Sequence, residues 1–147
     1  MTRIYEGVGL GMPPNDPEHQ LIGYKISNNF CRKFRQCYLV YEVSVTDFPE
    51  RVPDLSLWRN IDNKNFNKQK NNLLLTIEIT HTPQNDSYST ESILDVFDRV
   101  PTLNESFMYN YKRNIWTRFS RESDGIRIEE SKDYSRVLRC YMHTLLD

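Results

Sequence analysis

The sequence has no paired-cysteine motif, no long apolar run and no excess of charge of either sign. Its three cysteines, Cys31, Cys37 and Cys140, form no CxxC pair, which argues against a thiol-redox centre or a zinc knuckle. An odd, unpaired set fits a reducing compartment, so an intracellular location in cytoplasm or nucleus is expected. The net charge is −1 and the pI about 6.3, so no global field draws the chain to nucleic acid or an acidic membrane. No run of about 18 apolar residues exists to span a bilayer. The opening MTRIYEGVGLGMPP lacks the apolar core of a leader peptide, and none is expected. His19, His81 and His143 show no HxH or HxxxH spacing, so neither a metal site nor a cofactor is expected.

What is present suits one folded domain. The 147 residues are 38 % hydrophobic and 12 % aromatic, richer in rings than a disordered chain. Residues 1–20 hold Gly7, Gly9, Gly11, Pro13, Pro14 and Pro17, a density of breakers that predicts a flexible arm. Residues 21–147 are expected to form the domain. A short strand is predicted at Leu21–Ile26. The regular alternation over Gln36–Asp47 and Leu73–Thr82 predicts two strong strands. Between them, the Asn-rich residues 60–72 read as a surface loop. Ser89 is placed to cap a helix whose apolar stripe is Ile93, Leu94, Val96, Phe97 and Val100, ending at Pro101. Ile115–Arg121 and Ile126–Glu130 flank Asp124-Gly125, a hairpin signal. Tyr134, Val137, Leu138, Tyr141 and Leu145 recur at helical spacing, predicting a C-terminal helix over Tyr134–Leu146. The expected fold class is α+β, a single antiparallel sheet with two main helices packed on one face.

Few patterns carry chemistry. Cys140 and His143 could share a helix face as a thiolate dyad, but a Cys beside an apolar stripe usually packs as a small hydrophobe. Glu42 and Glu78 lie in strong strands and would meet on one sheet face if those strands paired. An acid–base role then needs an apolar pocket that raises one pKa. Gly7-Val8-Gly9-Leu10-Gly11 has neither the following helix nor the lysine of a phosphate loop. Pro13, Pro14 and Pro17 can form a polyproline docking arm. Phe107–Arg121, FMYNYKRNIWTRFSR, mixes rings and cations without an acid. Lys112, Arg113, Trp116, Arg118 and Arg121, with the second cluster Arg32, Lys33 and Arg35, are the candidates for gripping a partner or a nucleic acid. Rings stack on bases while cations meet phosphates. The same composition also builds a strand with its rings inside.

Two short segments resemble the small matrix proteins of rhabdoviruses. One is Leu10-Gly11-Met12-Pro13-Pro14, a proline-rich arm ahead of the first strand, although the Tyr of the PPxY form is missing. The other is Ser87-Tyr88-Ser89 followed by Ile93-Leu94 and Phe97-Asp98, a helix after a strong strand. The resemblance implies a role in virion assembly, condensing a nucleocapsid and linking it to an envelope. Missing catalytic sets and abundant Tyr, Trp and Arg also favour a non-catalytic interaction or structural protein that self-associates or binds a protein partner. No enzyme and no small-molecule substrate is expected. The alternatives are a single-stranded nucleic-acid binder and a small enzyme with dispersed residues such as Glu42, Glu78 and His81.

Overall fold

The computed structural model describes residues 17–34, 38–41, 52–59 and 71–147. Pro13, Pro14, Arg35, Cys37, Glu42, most of the Asn-rich stretch and the arm before Pro17 lie outside the described residues. The element order is α1 (Pro17–Lys33), β1 (Tyr38–Tyr41), β2 (Leu55–Trp58), β3 (Leu73–Thr80), α2 (Pro83–Arg99), β4 (Glu105–Asn110), β5 (Ile115–Glu122), β6 (Gly125–Glu130), β7 (Tyr134–Ser135), β8 (Cys140–Tyr141) and a 3-10 turn, Met142–Leu146. The fold is α+β. Its main sheet has six strands in the order β1-β2-β3-β4-β5-β6, and β7 with β8 form a second, two-stranded sheet. The pairings are antiparallel except β3 with β4, which run parallel. Helix α2 is the crossover that makes this possible, because parallel neighbours cannot be joined by a tight turn.

The two helices cover opposite faces of the sheet. Ile26 and Phe30 of α1 pack with Leu55, Leu57, Leu75, Ile77, Phe107, Tyr109 and Trp116. Ile93, Val96 and Phe97 of α2 pack with Trp58, Leu73, Met108 and Phe119. Along β4, Phe107 and Tyr109 belong to the first core and Met108 to the second. Alternate residues of a strand point to opposite faces, so the cores lie on either side. The one-sided arrangement expected from the strand spacing is replaced by this two-sided cover, because a parallel βαβ unit turns both faces of its strands toward a layer.

Three predicted elements differ. Leu21–Ile26 is helical, and Pro17 opens the helix instead of belonging to an extended arm. Proline is tolerated at a helix start, where its missing N–H has no intrahelical partner. Glu18 in the first turn and Arg32 with Lys33 in the last complement the helix dipole. Helix α2 begins at Pro83, not at Ser89. Thr82 is the cap, and its hydroxyl accepts from the Asn85 amide at 3.0 Å. The C-terminal segment forms β7, β8 and a 3-10 turn. Arg139 adopts φ 57, which a continuous helix forbids. In addition, the amides of Arg136 and Val137 bond the Glu105 carboxylate at 2.9 and 3.4 Å. Tertiary anchoring there outweighs a helical period. The β5–β6 hairpin stands as its turn chemistry predicts, with Gly125 at φ 138.

Candidate active site

The carboxyl ends of parallel strands are where open sheets with crossover helices hold ligands. At that end of β3 stands Glu78. Asp54 precedes β2, which runs antiparallel to β3, so it reaches the same end. The register pairs Leu55 with Ile77 and sets Asp54 beside Glu78. Backbone bonds lock the pair reciprocally. The Asp54 amide donates to Glu78 Oε1 at 3.1 Å, and the Ile79 amide donates to Asp54 Oδ2 at 2.7 Å. His19, on the first turn of α1, brings Nε2 to 3.4 Å from Asp54 Oδ2, with side-chain exposures of 12 % and 21 %.

The electrostatics of the two carboxyls are unequal. Glu78 is buried. Burial, and after it the charge of Asp54, hold its carboxyl well above the usual carboxylate range. Two acids in contact with unlike environments form the pattern from which acid–base and cation sites are built.

A polar network continues from the pair toward α2. Thr80, two residues beyond Glu78, donates to Asp86 Oδ1 at 2.5 Å, and Asn110 Nδ2 donates to Asp86 Oδ2 at 3.0 Å. Asp86 and Asn110 border an open groove of about 490 Å³, with Met108, Ile115 and Ile128 among its apolar lining. His81 ends the row and stacks on Tyr111, ring centres 5.6 Å apart.

The candidate residues of the basic–aromatic stretch separate sharply. Phe107, Tyr109, Tyr111, Trp116 and Phe119 are buried, and Trp116 stacks on Tyr109 at 4.5 Å. Arg118 is buried against Glu105, Nη2 to Oε2 2.9 Å. Arg121 caps α2 by donating to the carbonyls of Phe97 and Val100 at 2.6 and 3.2 Å. Trp116, Arg118 and Arg121 therefore serve the core. Lys112 and Arg113 stand exposed on the β4–β5 turn. Arg32 and Lys33 lie exposed at the far end of α1, where Lys33 donates to Thr144 Oγ1 at 3.0 Å. Cys140 packs partly buried against the first core. Its thiol is pushed up by burial, against a thiolate role, and His143 bonds Asp133 at 2.6 Å. Asp54 and His19 are the site residues sequence reasoning missed. A Pro-Asp pair at a strand entrance was the only trace of Asp54, and nothing in the spacing joins His19 to it.

No protein-family model matches the chain, and no curated protein matches it. Among solved structures it is similar to a DUF820 protein of Anabaena variabilis ATCC 29413, described as a putative nuclease. The two are 14 % identical with a TM-score of 0.65, over 91 % of this chain and 83 % of that one. At that identity the likeness shows the fold. It overturns the expectation of a non-catalytic structural or interaction protein, and with it the viral-matrix and virion-assembly reading. No helix among the described residues is long and apolar enough to cross a membrane.

Proposed function

We propose that this chain is a hydrolase of nucleic-acid phosphodiester bonds, with Asp54, Glu78 and His19 as its working residues. The observation that carries the reading is the buried Glu78 carboxyl held against Asp54 at the carboxyl end of β3. The fold neighbour supports it, being described as a nuclease.

The pair offers only oxygen donors, which suits Mg²⁺, an ion that proteins bind through one or two carboxylates with water and substrate phosphate completing its shell. Among the described residues no group of three or more His, Cys, Asp or Glu is arranged to hold a metal ion, and this two-carboxylate mode needs none. Held by Asp54 and Glu78, such an ion would acidify water and offset phosphate charge. The chain's own groups do the rest. The Ile79 amide fixes Asp54, and the Asp54 amide fixes Glu78, so neither carboxylate must reorganise during reaction. His19 supplies an imidazole, a side chain suited to accepting and giving up a proton. As the water oxygen bonds to phosphorus, His19 takes the water's proton. The phosphorus–oxygen bond to the departing sugar breaks, and that oxygen is protonated from solvent.

An intracellular setting accompanies this reading, since Cys31 and Cys140 are free thiols of the kind reducing compartments maintain. The test is hydrolysis of DNA, RNA and a chromogenic phosphodiester with Mg²⁺ or Mn²⁺. Asp54→Asn and Glu78→Gln should each lower kcat about 10²–10³-fold, and chelation should abolish turnover. Undiminished hydrolysis by Glu78→Gln would remove the proposal.

A further inference from the structure

The candidate site is rich in acid. Asp54 and Glu78 form its centre, Glu18 and Asp86 stand nearby, and Glu91 lines the adjoining groove. A polyanionic substrate approaching such a place needs cations close by, or like-charge repulsion excludes it. Arg118 and Arg121, the other cations of this stretch, are committed to the interior and to the end of α2. Among the described residues, the β4–β5 turn carries two exposed cations at this end of the sheet.

We infer that this turn, through Lys112 and Arg113, grips the phosphates of the nucleic acid beside the carboxylate pair. The inference rests on the phosphodiesterase reading and deepens it by assigning substrate-holding residues. Its first support is the rigidity of the turn. Asn110, only 3 % exposed, accepts from the amides of Lys112 and Arg113 at 3.1 and 3.0 Å. The Tyr111 amide donates to the Thr80 carbonyl at 3.0 Å, and the Tyr109 hydroxyl donates to Asn114 Oδ1 at 2.8 Å. Asn114 takes φ 54, a conformation Asn tolerates better than most residues. The same Asn110 amide group binds Asp86, which Thr80 joins to β3. The turn is thus fixed to the strand that holds Glu78.

The second support is where the two cations point. Lys112 Nζ reaches back to Glu18 on α1 at 2.9 Å, one residue before His19. Arg113 lines the groove on the α2 side, where it meets Glu130 at 3.4 Å. The two cations thus leave the turn in different directions, Lys112 toward α1 and Arg113 toward the groove beside α2. Their present partners hold them weakly. The four side chains are 51–60 % exposed, and ion pairs so open to solvent are screened and contribute little. A phosphate can displace them, releasing counterions from the substrate as it does so. Glu18 is then a competitor for Lys112, and removing its charge should tighten binding.

Fluorescence anisotropy of a labelled DNA oligonucleotide, single-stranded and duplex, tests this in chelator so that no turnover occurs. Lys112→Ala and Arg113→Ala should each weaken binding about ten-fold at low salt and reduce the slope of log K against log[salt] by about 1. Glu18→Gln should shift affinity in the opposite direction, an effect that loss of folding cannot imitate. Wild-type affinity and slope in Lys112→Ala and Arg113→Ala would overturn the assignment, as would absence of DNA binding at low salt. Hydrolysis of a small chromogenic phosphodiester judges the carboxylate chemistry separately. That activity can persist when the grip fails, and the grip can persist when that activity is missing.

Discussion

Two buried glutamates in neighbouring strands show how partners decide what a carboxyl does. Glu105 is surrounded by donors, accepting from Arg118, Ser135 and the Arg136 amide. Glu78 faces another acid instead, and burial followed by the Asp54 charge raises its pKa. A carboxyl raised in the folded state contributes stability that is fully present below its unfolded value and is lost as pH rises through the folded value. Glu78→Gln removes that loss. In metal-free buffer the variant and the wild type should be close in stability at acid pH. The variant should become the more stable of the two as pH rises through the raised Glu78 value, in urea titrations across a pH series. Parallel stability profiles would show that Glu78 is not strained in this way. Glu78 was legible in the sequence as a carboxylate inside a strong strand, but its expected partner was Glu42. Asp54 and His19 were not legible, because their meeting with Glu78 is made by the register of β2 on β3 and by the lie of α1.

At the scale of elements, local chemistry was readable wherever it was strong. The alternation of β3 and the Asp-Gly turn between β5 and β6 each point to one structure, and each is present. Helix α1 hid because Gly23 and two Asn residues lower its intrinsic propensity, and its buried residues Gly23, Ile26 and Phe30 make only a narrow stripe. The start of α2 was misplaced by a residue choice. Ser89 looks like a cap, yet it is buried within the helix, while Thr82-Pro83 forms the actual cap and first position. That start has a function in the fold, since it sets Asp86 against Thr80 and Asn110. Thr82→Ala leaves the Asn85 amide without its acceptor and should cost about 1 kcal/mol in chemical denaturation. Thr82→Ser keeps the hydroxyl and should restore most of it. Equal stability of the Ala variant and the wild type would mean that the cap contributes nothing to α2.

For the whole molecule, the candidate site depends on a chain of contacts that runs through the far side of the sheet. Glu105, 1 % exposed, holds the end of β7 through the Ser135 hydroxyl at 2.5 Å and the segment after it through the Arg136 amide at 2.9 Å. That segment leads into the 3-10 turn, and Asn29 of α1 donates to the Leu145 and Asp147 carbonyls, both at 2.8 Å. Helix α1 then presents His19 to Asp54. Arg118 neutralises Glu105 at the root of this chain. A buried carboxylate stripped of its cation is worse than no ion pair at all, and such losses cost about 3–5 kcal/mol. Arg118→Ala should therefore destabilise the protein by about that amount. A double variant, Arg118→Met with Glu105→Gln, should recover much of it, because the buried charge disappears with its partner. If the segment after β7 is tethered chiefly by Glu105, hydrogen exchange in Arg118→Ala should also rise first there and in the last turn of α1, before the core strands. Uniform exchange across all elements would separate the stability of the ion pair from the placement of α1.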